Sequence, residues 1–271
     1  MWILMAIWIL LLIIAGIYLF LIAPRMINKP DRSALYGVFY AHRGLFDNQS
    51  NAPENSLKAF ERAVEAGYGI EFDVQLSKDD IPVVFHDASL KRMCGVDGKV
   101  WEYTLEELQN MKLADSVQTI PTLEAVLKVV GGKVPLIIEY KMDRVDTKVC
   151  ELGNALLKQY PGPYCIESFH PSAVRWYRKN RPDIIRGQLS ENYKRVGKKG
   201  FAYWGMKNLL SDVATRPDFI AYCHKDAKNF SRRVCRKLGA LSVAWTIKNQ
   251  EQYEKAKQEF DLFIFEGFRL K

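Results

Sequence analysis

The sequence predicts an α/β fold: a TIM (β/α)8 barrel with a small insertion after its second strand, preceded by one N-terminal transmembrane helix. Three observations predict this fold. The first segment is uncharged and apolar, eight short apolar runs follow it, and amphipathic patterns of helical period separate most of these runs. The length of 271 residues agrees with the prediction, because such barrels commonly use about 250 residues as a single domain.

The first segment predicts a membrane anchor. Residues 2–23 carry no charged side chain, are rich in Leu, Ile and Trp, and are followed by Pro24 and Arg25. As a helix this segment would span about 33 Å, which is enough for the hydrocarbon core of a bilayer. A signal peptide is the weaker interpretation, because no basic region precedes the run and no small-x-small cleavage site follows it. We therefore expect residues 1–24 to be an uncleaved anchor and residues 25–36 to be a linker.

The charges after the anchor predict the side of the membrane. Arg25, Lys29 and Arg32 outnumber Asp31 in the linker, and an excess of positive charge beside a span favours the cytoplasmic side. The five cysteines are widely spaced and form no CxxC pair, which suits free thiols in a reducing compartment. We expect a single-pass membrane protein with its catalytic domain in the cytoplasm, and an exported domain is the alternative.

Residues 37–271 predict one barrel domain, since no second linker, repeat or low-complexity tract divides them. The predicted strands are residues 38–41, 70–74, 136–140, 164–169, 184–189, 219–222, 241–246 and 262–265. The predicted helices are residues 56–66, 122–130, 146–159, 171–180, 227–238 and 250–260, with a short helix at 204–211. A doubly wound open sheet is the alternative, but the sequence has no Gly-rich dinucleotide-binding loop.

One part of the chain interrupts this alternation directly after the second strand. Residues 78–80 predict a turn and residues 81–86 a returning strand, and residues 88–121 form an irregular excursion with one helix at 104–111. We expect this insertion to lie on the C-terminal face of the barrel, where barrel enzymes have their active sites.

Two strand ends carry paired polar residues. Residues i and i+2 of a strand point to the same side, so Glu71 and Asp73 project together, as do Glu139 and Lys141. Three converging carboxylates without a His or Cys ligand are typical of an all-oxygen site for Ca²⁺ or Mg²⁺. Solvated strand-end acids, or separate ion pairs with Lys141 and Arg43, are the alternative. This alternative would be the better explanation of one charged pair alone, but it explains two such pairs at neighbouring strand ends less well than a metal site does.

His42 and His86 also follow strand-like runs and flank the first carboxylate pair. Imidazole titrates near neutral pH, so two histidines can serve as the acid and the base that phosphodiester cleavage requires. Three carboxylates and one divalent ion leave one net negative charge, and adding Arg43 and Lys141 makes the net charge positive. An anionic substrate is then accepted, and Arg43 can bind two phosphate oxygens at once.

Six motifs occur in order along the chain. They are His42-Arg43-Gly44, Pro53-Glu54-Asn55-Ser56, Glu71-Phe72-Asp73, Pro82-Val83-Val84-Phe85-His86-Asp87, Ile120-Pro121-Thr122-Leu123 and Glu139-Tyr140-Lys141. Any one of them would be a weak signal, but the ordered set is specific. Together they resemble the glycerophosphodiester phosphodiesterase family, from about residue 38 to the end of the chain.

This resemblance implies a TIM barrel that hydrolyses glycerophosphodiesters to sn-glycerol 3-phosphate and an alcohol, in phospholipid metabolism. It implies a Ca²⁺ or Mg²⁺ ion held by three carboxylates, two catalytic histidines, two phosphate-binding residues, two supporting residues and two residues of a substrate pocket. In that order, these residues are Glu71, Asp73 and Glu139; His42 and His86; Arg43 and Lys141; Glu54 and Asn55; and Phe169 and Trp245.

Two positions depart from the pattern of the family. His170 stands where the family often has an acidic residue, and the last strand ends in Phe265-Glu266-Gly267-Phe268 instead of a Thr-Asp-x-Pro pattern. These departures concern the preferred substrate and leave the metal and histidine motifs intact. His170 and His224 are interpreted as surface or structural residues.

The predicted partners are a glycerophosphodiester or lysophospholipid substrate and a lipid bilayer. One alternative function is a lysophospholipase D-type or cyclising phosphodiesterase on membrane lysolipids, and another is a non-catalytic membrane-bound barrel that binds anionic ligands. No obligate protein partner is evident. The net charge of +8 includes three basic clusters, at residues 175–181, 194–199 and 232–237. Each is expected to be a solvated face or to lie against anionic headgroups, and nucleic acid is not expected because no binding module accompanies the charge.

Overall fold

Eight parallel strands close into a barrel, and a ninth strand lies antiparallel at its rim. The computed structural model describes residues 1–142 and 146–270, so residues 143–145 and 271 of the predicted barrel domain lie outside the described part. The strands are β1 (Tyr40–His42), β2 (Gly69–Leu76), β3 (Pro82–Val84), β4 (Leu136–Tyr140), β5 (Tyr164–Ser168), β6 (Ile185–Ser190), β7 (Phe219–Cys223), β8 (Leu241–Ile247) and β9 (Leu262–Phe265). Their order is β1-β9-β8-β7-β6-β5-β4-β2-β3, and pairing of β1 with β2 closes the barrel. The predicted barrel is confirmed.

Helices follow the strands and cover the outside of the barrel. The helices in chain order are α1 (Trp2–Ile22), α2 (Leu57–Glu65), α3 (Lys91–Cys94), α4 (Leu105–Gln109), α5 (Leu123–Val130), α6 (Lys148–Leu157), α7 (Pro171–Asn180), α8 (Phe201–Lys207), α9 (Asp212–Thr215), α10 (Phe230–Lys237) and α11 (Gln250–Ala256). Where one short helix was predicted at 204–211, the chain forms α8 and α9 with a turn between them. The other predicted helices are present with bounds that differ by a few residues.

Side chains alternate along the strands between the outside and the inside of the barrel, and this produces two apolar layers. Ile70, Phe72 and Val74 of β2 face outward and pack with the surrounding helices, while the residues between them face the barrel axis. The lower part of the barrel interior is filled by side chains such as Tyr40, Ile137 and Phe219. The space that remains inside the barrel lies at the end where the parallel strands have their carboxyl ends. We call this end the upper face. The opposite end is the lower face.

The predicted returning strand is β3, which pairs antiparallel with the end of β2. It leads into an excursion that has its own apolar cluster, with Phe85, Leu90, Val100 and Leu108 among its members. The amide of Phe85 donates to the carbonyl oxygen of Asp73 at 3.0 Å. These contacts attach the insertion to the upper face and place the residue after Phe85, His86, beside the barrel mouth.

The segment between α1 and β1 is bound to the lower face. Arg25 donates to the carbonyl oxygen of Pro182, Lys29 to that of Gly239, and Leu35 is buried in the inner core. The basic residues that follow α1 therefore contact the barrel. α1 is long and apolar enough to cross a membrane, a property that a signal sequence near the N-terminus shares.

One basic cluster differs from its prediction as a solvated face. Arg232 on α10 is fully buried, and its guanidinium donates to Ser242 Oγ at 2.7 Å and pairs with Glu259 at 2.7 Å. A buried cation is retained when carboxylate and neutral acceptors surround it. Arg232 therefore joins α10 to β8 and to the turn that follows α11.

Candidate active site

The two predicted catalytic histidines lie at the upper face, and each is oriented by a carboxylate. His42 is the last residue of β1, and its Nδ1 contacts Glu266, which directly follows β9. His86 follows β3, and its Nδ1 lies 2.6 Å from Asp87 Oδ1. A carboxylate on Nδ1 retains the proton there and leaves Nε2 as the free ring nitrogen. Nε2 of His42 lies 3.7 Å from Glu71 Oε2, so it faces the carboxylates.

The three predicted metal carboxylates converge. Glu71, Asp73 and Glu139 are buried, and each offers an oxygen such that these three atoms lie within 4.8 Å of one another. Asp73 on β2 is the register partner of Glu139 on the neighbouring strand β4. Lys141, two residues after Glu139, places its Nζ 2.7 Å from Glu139 Oε1 and 2.9 Å from Asp73 Oδ1. Strand pairing thus assembles a group that the sequence divides by some sixty residues.

The loop after β1 is held by a network of charged side chains. Arg43 donates to Glu54 at 2.6 Å and has its Nε 3.6 Å from Asp73 Oδ2. Asn55 donates to the same oxygen of Asp73 at 2.9 Å. Arg92, from the excursion, binds both oxygens of Glu54 at 2.8 and 2.7 Å. Glu54 therefore links Arg43 to Arg92 through hydrogen bonds with both guanidinium groups.

Backbone geometry brings this loop close to α2. Arg43 and Gly44 both have positive φ values, 57° and 84°, which is the left-handed region that favours glycine. A Cβ at Gly44 would lie 2.9 Å from the backbone carbon of Ala59. Gly44 is therefore required for the loop to turn beneath α2 and hold Arg43 at the cavity.

Burial and neighbouring charges shift the acidities within the site. Burial raises the pKa of Glu71 well above its usual value, and the nearby Asp73 and Glu139 raise it further. Burial also raises the pKa of Glu139, against the effect of Lys141. For Asp73 burial acts in the same direction, but Lys141, His86 and Arg43 outweigh it, and its pKa is lowered. The carboxylates therefore repel one another, and only part of that repulsion is offset by the bases.

A cavity of about 530 Å³ joins these groups. Its walls include both histidines, Arg43, Lys141, Glu71 and Glu139, together with Phe169 and Trp245. The rings of Phe169 and Trp245 meet edge to face at 5.5 Å. The indole Nε1 of Trp245 is buried without a hydrogen-bond partner among the described residues.

Three residues of the site were missed by the sequence analysis. Glu266 was noted only as a departure from the family pattern, although an acid at the end of an apolar strand could have drawn attention to it as the strand ends did for Glu139. Glu167 is buried on β5 as the register partner of Glu139 and lines the cavity. Arg92 gave no signal, because it lies in the irregular excursion.

The donor set fits a hard divalent cation. All three converging ligands are carboxylates, two of them have raised pKa values through burial and mutual repulsion, and no His or Cys among the described residues joins the group. Oxygen ligands of this kind are those that Ca²⁺ and Mg²⁺ prefer. A cation at this position would also relieve the repulsion among the three charges.

Comparison with known proteins agrees with the geometry. Residues 42–264 match the model of the Glycerophosphoryl diester phosphodiesterase family. The chain is 30% identical over 227 residues to a glycerophosphodiester phosphodiesterase of Caldanaerobacter subterraneus, covering 79% of this chain and 87% of that protein.

Two solved structures share the fold. One is an Oleispira antarctica phosphodiesterase in complex with the product sn-glycerol-3-phosphate, with a TM-score of 0.69, 25% identity, and coverage of 85% of this chain and 93% of the other. The second is a glycerophosphodiester phosphodiesterase from Thermotoga maritima, with a TM-score of 0.66, 28% identity, and coverage of 85% and 95%.

Proposed function

The chain belongs to the glycerophosphoryl diester phosphodiesterase family and is an enzyme of that activity, and from this membership we propose a specific form of the reaction. The enzyme is a metal-dependent hydrolase that cleaves glycerophosphodiesters to sn-glycerol 3-phosphate and an alcohol, in phospholipid metabolism. The observation that carries the proposal is the convergence of Glu71, Asp73 and Glu139 within 4.8 Å between two carboxylate-oriented histidines.

The metal is Ca²⁺ or Mg²⁺, and these three carboxylates hold it. A divalent cation supplies positive charge that polarises a phosphoryl oxygen and orients a nucleophile. Lys141 remains charged here: burial opposes its charge, but Asp73 and Glu139 outweigh that effect and raise its pKa. Lys141 and Arg43 therefore present fixed positive charge to the phosphate, with Glu54 holding Arg43 in place.

His42 and His86 transfer the protons. Each has a free Nε2, because a carboxylate occupies its Nδ1. One histidine removes a proton from the attacking hydroxyl, and the other protonates the departing alcohol oxygen. The attacking group is either water or the substrate's own glycerol hydroxyl. Attack by the glycerol hydroxyl would give a cyclic phosphate, which water then hydrolyses. Phe169 and Trp245 line the part of the cavity that would hold the glycerol group.

Hydrolysis assays test the metal and the histidines together. Glycerophosphocholine and glycerophosphoglycerol are incubated with the full chain, with and without EDTA, and readdition of Ca²⁺ or Mg²⁺ identifies the metal. We expect loss of activity with the chelator and a decrease of at least about 10²-fold in His42→Ala, since a positioned acid or base contributes 10²–10⁴-fold. Equal rates with EDTA, or full activity of His42→Ala, would contradict the mechanism.

Two other reactions remain testable alternatives. A cyclising enzyme would release a cyclic phosphate, which phosphorus NMR of the products distinguishes from sn-glycerol 3-phosphate. A non-catalytic barrel would bind an anionic ligand without turnover, but every metal-ligand and histidine position is filled, which argues for catalysis.

We also propose that residues 1–24 anchor the enzyme in a membrane, with residues 37–271 as the catalytic domain on the cytoplasmic side. The exposed apolar surface of α1 supports an anchor. Such an enzyme can reach lysophospholipids, so a lysophospholipase D-type reaction is the second candidate function. An impermeant thiol reagent applied to intact cells tests the topology. Labelling of an engineered surface cysteine without permeabilisation would place the domain outside.

A further inference from the structure

The last turns of α1 pack against the barrel wall in a defined direction. The hydroxyl of Tyr18 shares a hydrogen bond of 2.7 Å with Ser231 in the first turn of α10, and its ring stacks on Phe230. One turn later, the thiol of Cys235 donates to the carbonyl oxygen of Ile22. The two helices therefore run the same way at this contact. Because α10 leads from the upper face to the lower face, the part of α1 before Tyr18 extends beyond the upper face, where the cavity opens.

The length of α1 decides how near the upper face lies to a bilayer that α1 crosses. Residues 2–17 span about 24 Å as a helix, slightly less than the roughly 30 Å of a hydrocarbon core. The helix thus has no spare length to hold the barrel away from the membrane. Tyr18 falls at the membrane interface, where Tyr and Trp side chains are preferred, and Phe230 lies beside it.

Exposed aromatic side chains lie on the upper face at the same side of the barrel. Phe201 is 81% exposed, Phe230 is 65% exposed and Trp204 is 47% exposed. The rings of Phe201 and Trp204 stack with centroids 5.6 Å apart. Large apolar side chains grouped at a surface are typical of an interaction site.

Three hydrogen bonds hold α8, which carries Phe201 and Trp204, on the upper face. Ser190 at the end of β6 donates to the carbonyl oxygen of Met206 at 2.9 Å. Tyr222 near the end of β7 donates to that of Lys207 at 2.9 Å, and Asn229, which caps α10, donates to the same oxygen at 3.3 Å. The end of α8 therefore adjoins the start of α10, next to the contact with α1.

Basic side chains surround these aromatics. We call residues 191–207 and 224–230 the upper rim, since both segments follow strand ends of the upper face. The exposed basic residues of the upper rim are Lys194, Arg195, Lys198, Lys199, Lys225 and Lys228. Both segments are fully described, and their acidic residues are Glu191 and Asp226, of which Asp226 pairs with Arg195. The upper rim is therefore positively charged and suits an anionic surface.

The upper rim also borders the catalytic cavity. A second cavity of about 310 Å³ has Glu139 and Lys141 in one wall, and both also line the main cavity. Its other wall includes Tyr203 and Met206 of α8. The second cavity thus adjoins the carboxylate triad on the side where α8 lies.

We propose that the upper rim is a docking surface for an anionic lipid bilayer, and that docking turns the open end of the barrel toward the headgroups. The proposal rests on the proposed phosphodiesterase function and on the anchoring role of α1. The substrate class that this surface would serve is a phosphodiester that keeps an acyl chain and resides in the bilayer, as in the second candidate function. A deacylated, soluble phosphodiester reaches the site from water without using the upper rim.

Fluorescent labelling of the full chain in vesicles tests the orientation. Phe201→Cys on the upper rim and Lys133→Cys, exposed before β4 on the lower face, are made in a Cys94→Ser background because the other four cysteines are buried. In vesicles with phosphatidylglycerol, we expect a polarity-sensitive dye at position 201 to emit at shorter wavelength and to be quenched by brominated lipids. The dye at 133 should remain in water. Lipid contact at 133, or water at both positions, overturns the proposal.

Charge variants test the functional consequence. Lys194→Gln with Lys199→Gln removes two upper-rim charges that do not line either cavity, and Lys133→Gln with Lys158→Gln is the matched control on the lower face. Each basic residue near an anionic surface contributes about fivefold in binding. We therefore expect the ratio of the rate on a vesicle-bound lysophospholipid to the rate on glycerophosphoglycerol to fall by up to about 25-fold in the first variant only. An unchanged ratio, or an equal fall in both variants, contradicts the proposal.

The two experiments separate this proposal from the proposed function. A wild-type chain that cleaves neither substrate would contradict the proposed function, while the labelling would still decide the orientation of the upper rim. Activity on both substrates with the dye at 201 in water would retain the enzyme and reject the docking surface.

Discussion

At the residue scale, the carboxylates of the site form two groups, which differ in the side chains that they face. Glu71, Asp73 and Glu139 face one another and form the candidate metal site. Glu266 and Asp87 each face one histidine. Burial acts to raise the pKa of Glu266, but His42 and Lys248 outweigh it and lower this pKa to about 2. Glu266 is therefore ionised at any working pH and keeps the His42 proton on Nδ1.

Replacing Glu266 tests its role as a positioning residue. Burial lowers the pKa of His42, and Glu266 opposes that effect. In Glu266→Gln we expect kcat to fall about 10- to 100-fold, as for other residues that orient a functional imidazole. If neutral His42 is the base, the acid limb of the kcat/KM profile should move to lower pH, because the pKa of His42 falls further without the carboxylate. Lys248→Ala, which removes only the outer partner of Glu266, is the control. A pH profile identical to wild type in Glu266→Gln would contradict this role.

The raised pKa values of Glu71 and Glu139 predict a pH-dependent effect of the metal on stability. Without metal, the folded protein retains protons on these groups that the unfolded chain releases above about pH 4.5, so their burial lowers stability increasingly as the pH rises. Metal binding requires the deprotonated carboxylates. The increase in Tm on adding Ca²⁺ or Mg²⁺ should therefore be larger at pH 8 than at pH 5.5.

Calorimetric unfolding at both pH values measures this difference, and Glu71→Gln is the matched variant. We expect this variant to bind the metal at least about tenfold more weakly, because the charge count of the ligands sets affinity. Its metal-free form should be at least as stable as wild type at pH 8, since it lacks the repulsion. A metal-induced shift in Tm that is the same at both pH values would count against the assignment.

At the element scale, helix starts fix the loops that carry the site. Ser56 caps α2 by accepting from the amide of Ala59 at 3.1 Å, and Thr122 caps α5 in the same way at 3.1 Å. Both belong to the motifs that resemble the family, next to Asn55 in one case and Pro121 in the other. Their contacts are with backbone amides, so these two motif residues act on the fold.

Ser56→Ala should separate stability from catalysis. Loss of an N-cap costs about 1 kcal/mol, which for a domain of this size lowers Tm by roughly 2–4 °C. We expect kcat/KM below the transition to change less than twofold. Lys58→Ala, which removes an exposed i,i+3 ion pair on the same helix, should leave Tm nearly unchanged. A large loss of activity in folded Ser56→Ala would assign Ser56 a part in the chemistry.

At the scale of the whole molecule, α1 is fastened to the barrel that follows it. Arg216 donates to the carbonyl oxygens of Phe20 and Ala23 at 2.8 and 2.7 Å, and its guanidinium lies over the Phe20 ring at 4.8 Å. These carbonyls belong to the end of α1, where backbone acceptors lack partners within the helix. The direction of α1 relative to the cavity is therefore fixed by this side chain together with the contacts of Tyr18 and Ile22 with α10.

Arg216→Ala is expected to loosen α1 without impairing the site. Hydrogen exchange of the full chain in nanodiscs should show faster exchange at residues 18–25, because two capping hydrogen bonds are lost. The rate on glycerophosphoglycerol should stay within about twofold of wild type, since Arg216 lies at the lower face. Arg233→Ala, an exposed change on the neighbouring helix α10, is the control and should leave exchange unaltered. Unchanged exchange in Arg216→Ala would mean that other contacts fix α1.

Much of the barrel and most of the candidate site could be predicted, because their signals are local. The alternation of apolar and polar residues predicts the strands and which side chains share a face. Glu71 with Asp73, and Glu139 with Lys141, could therefore be assigned to the interior from the sequence. Element bounds, the pair α8 and α9, and the burial of Arg232 could not be predicted in this way. These features depend on the tertiary contacts of each segment, and the local sequence pattern does not specify those contacts.

The fold class, the three carboxylates as a group, the two histidines and the apolar span could be read from the sequence, since each depends on residue type and spacing within a short segment. Three features required the folded chain: Glu266 contacts His42, Arg92 joins Glu54 to the excursion, and α1 points beyond the upper face. Glu266 lies 224 residues from His42, and the pairing of β1 with β9 makes them neighbours. The physical reason is that strand closure and helix docking create contacts between distant segments, and no local pattern specifies those contacts.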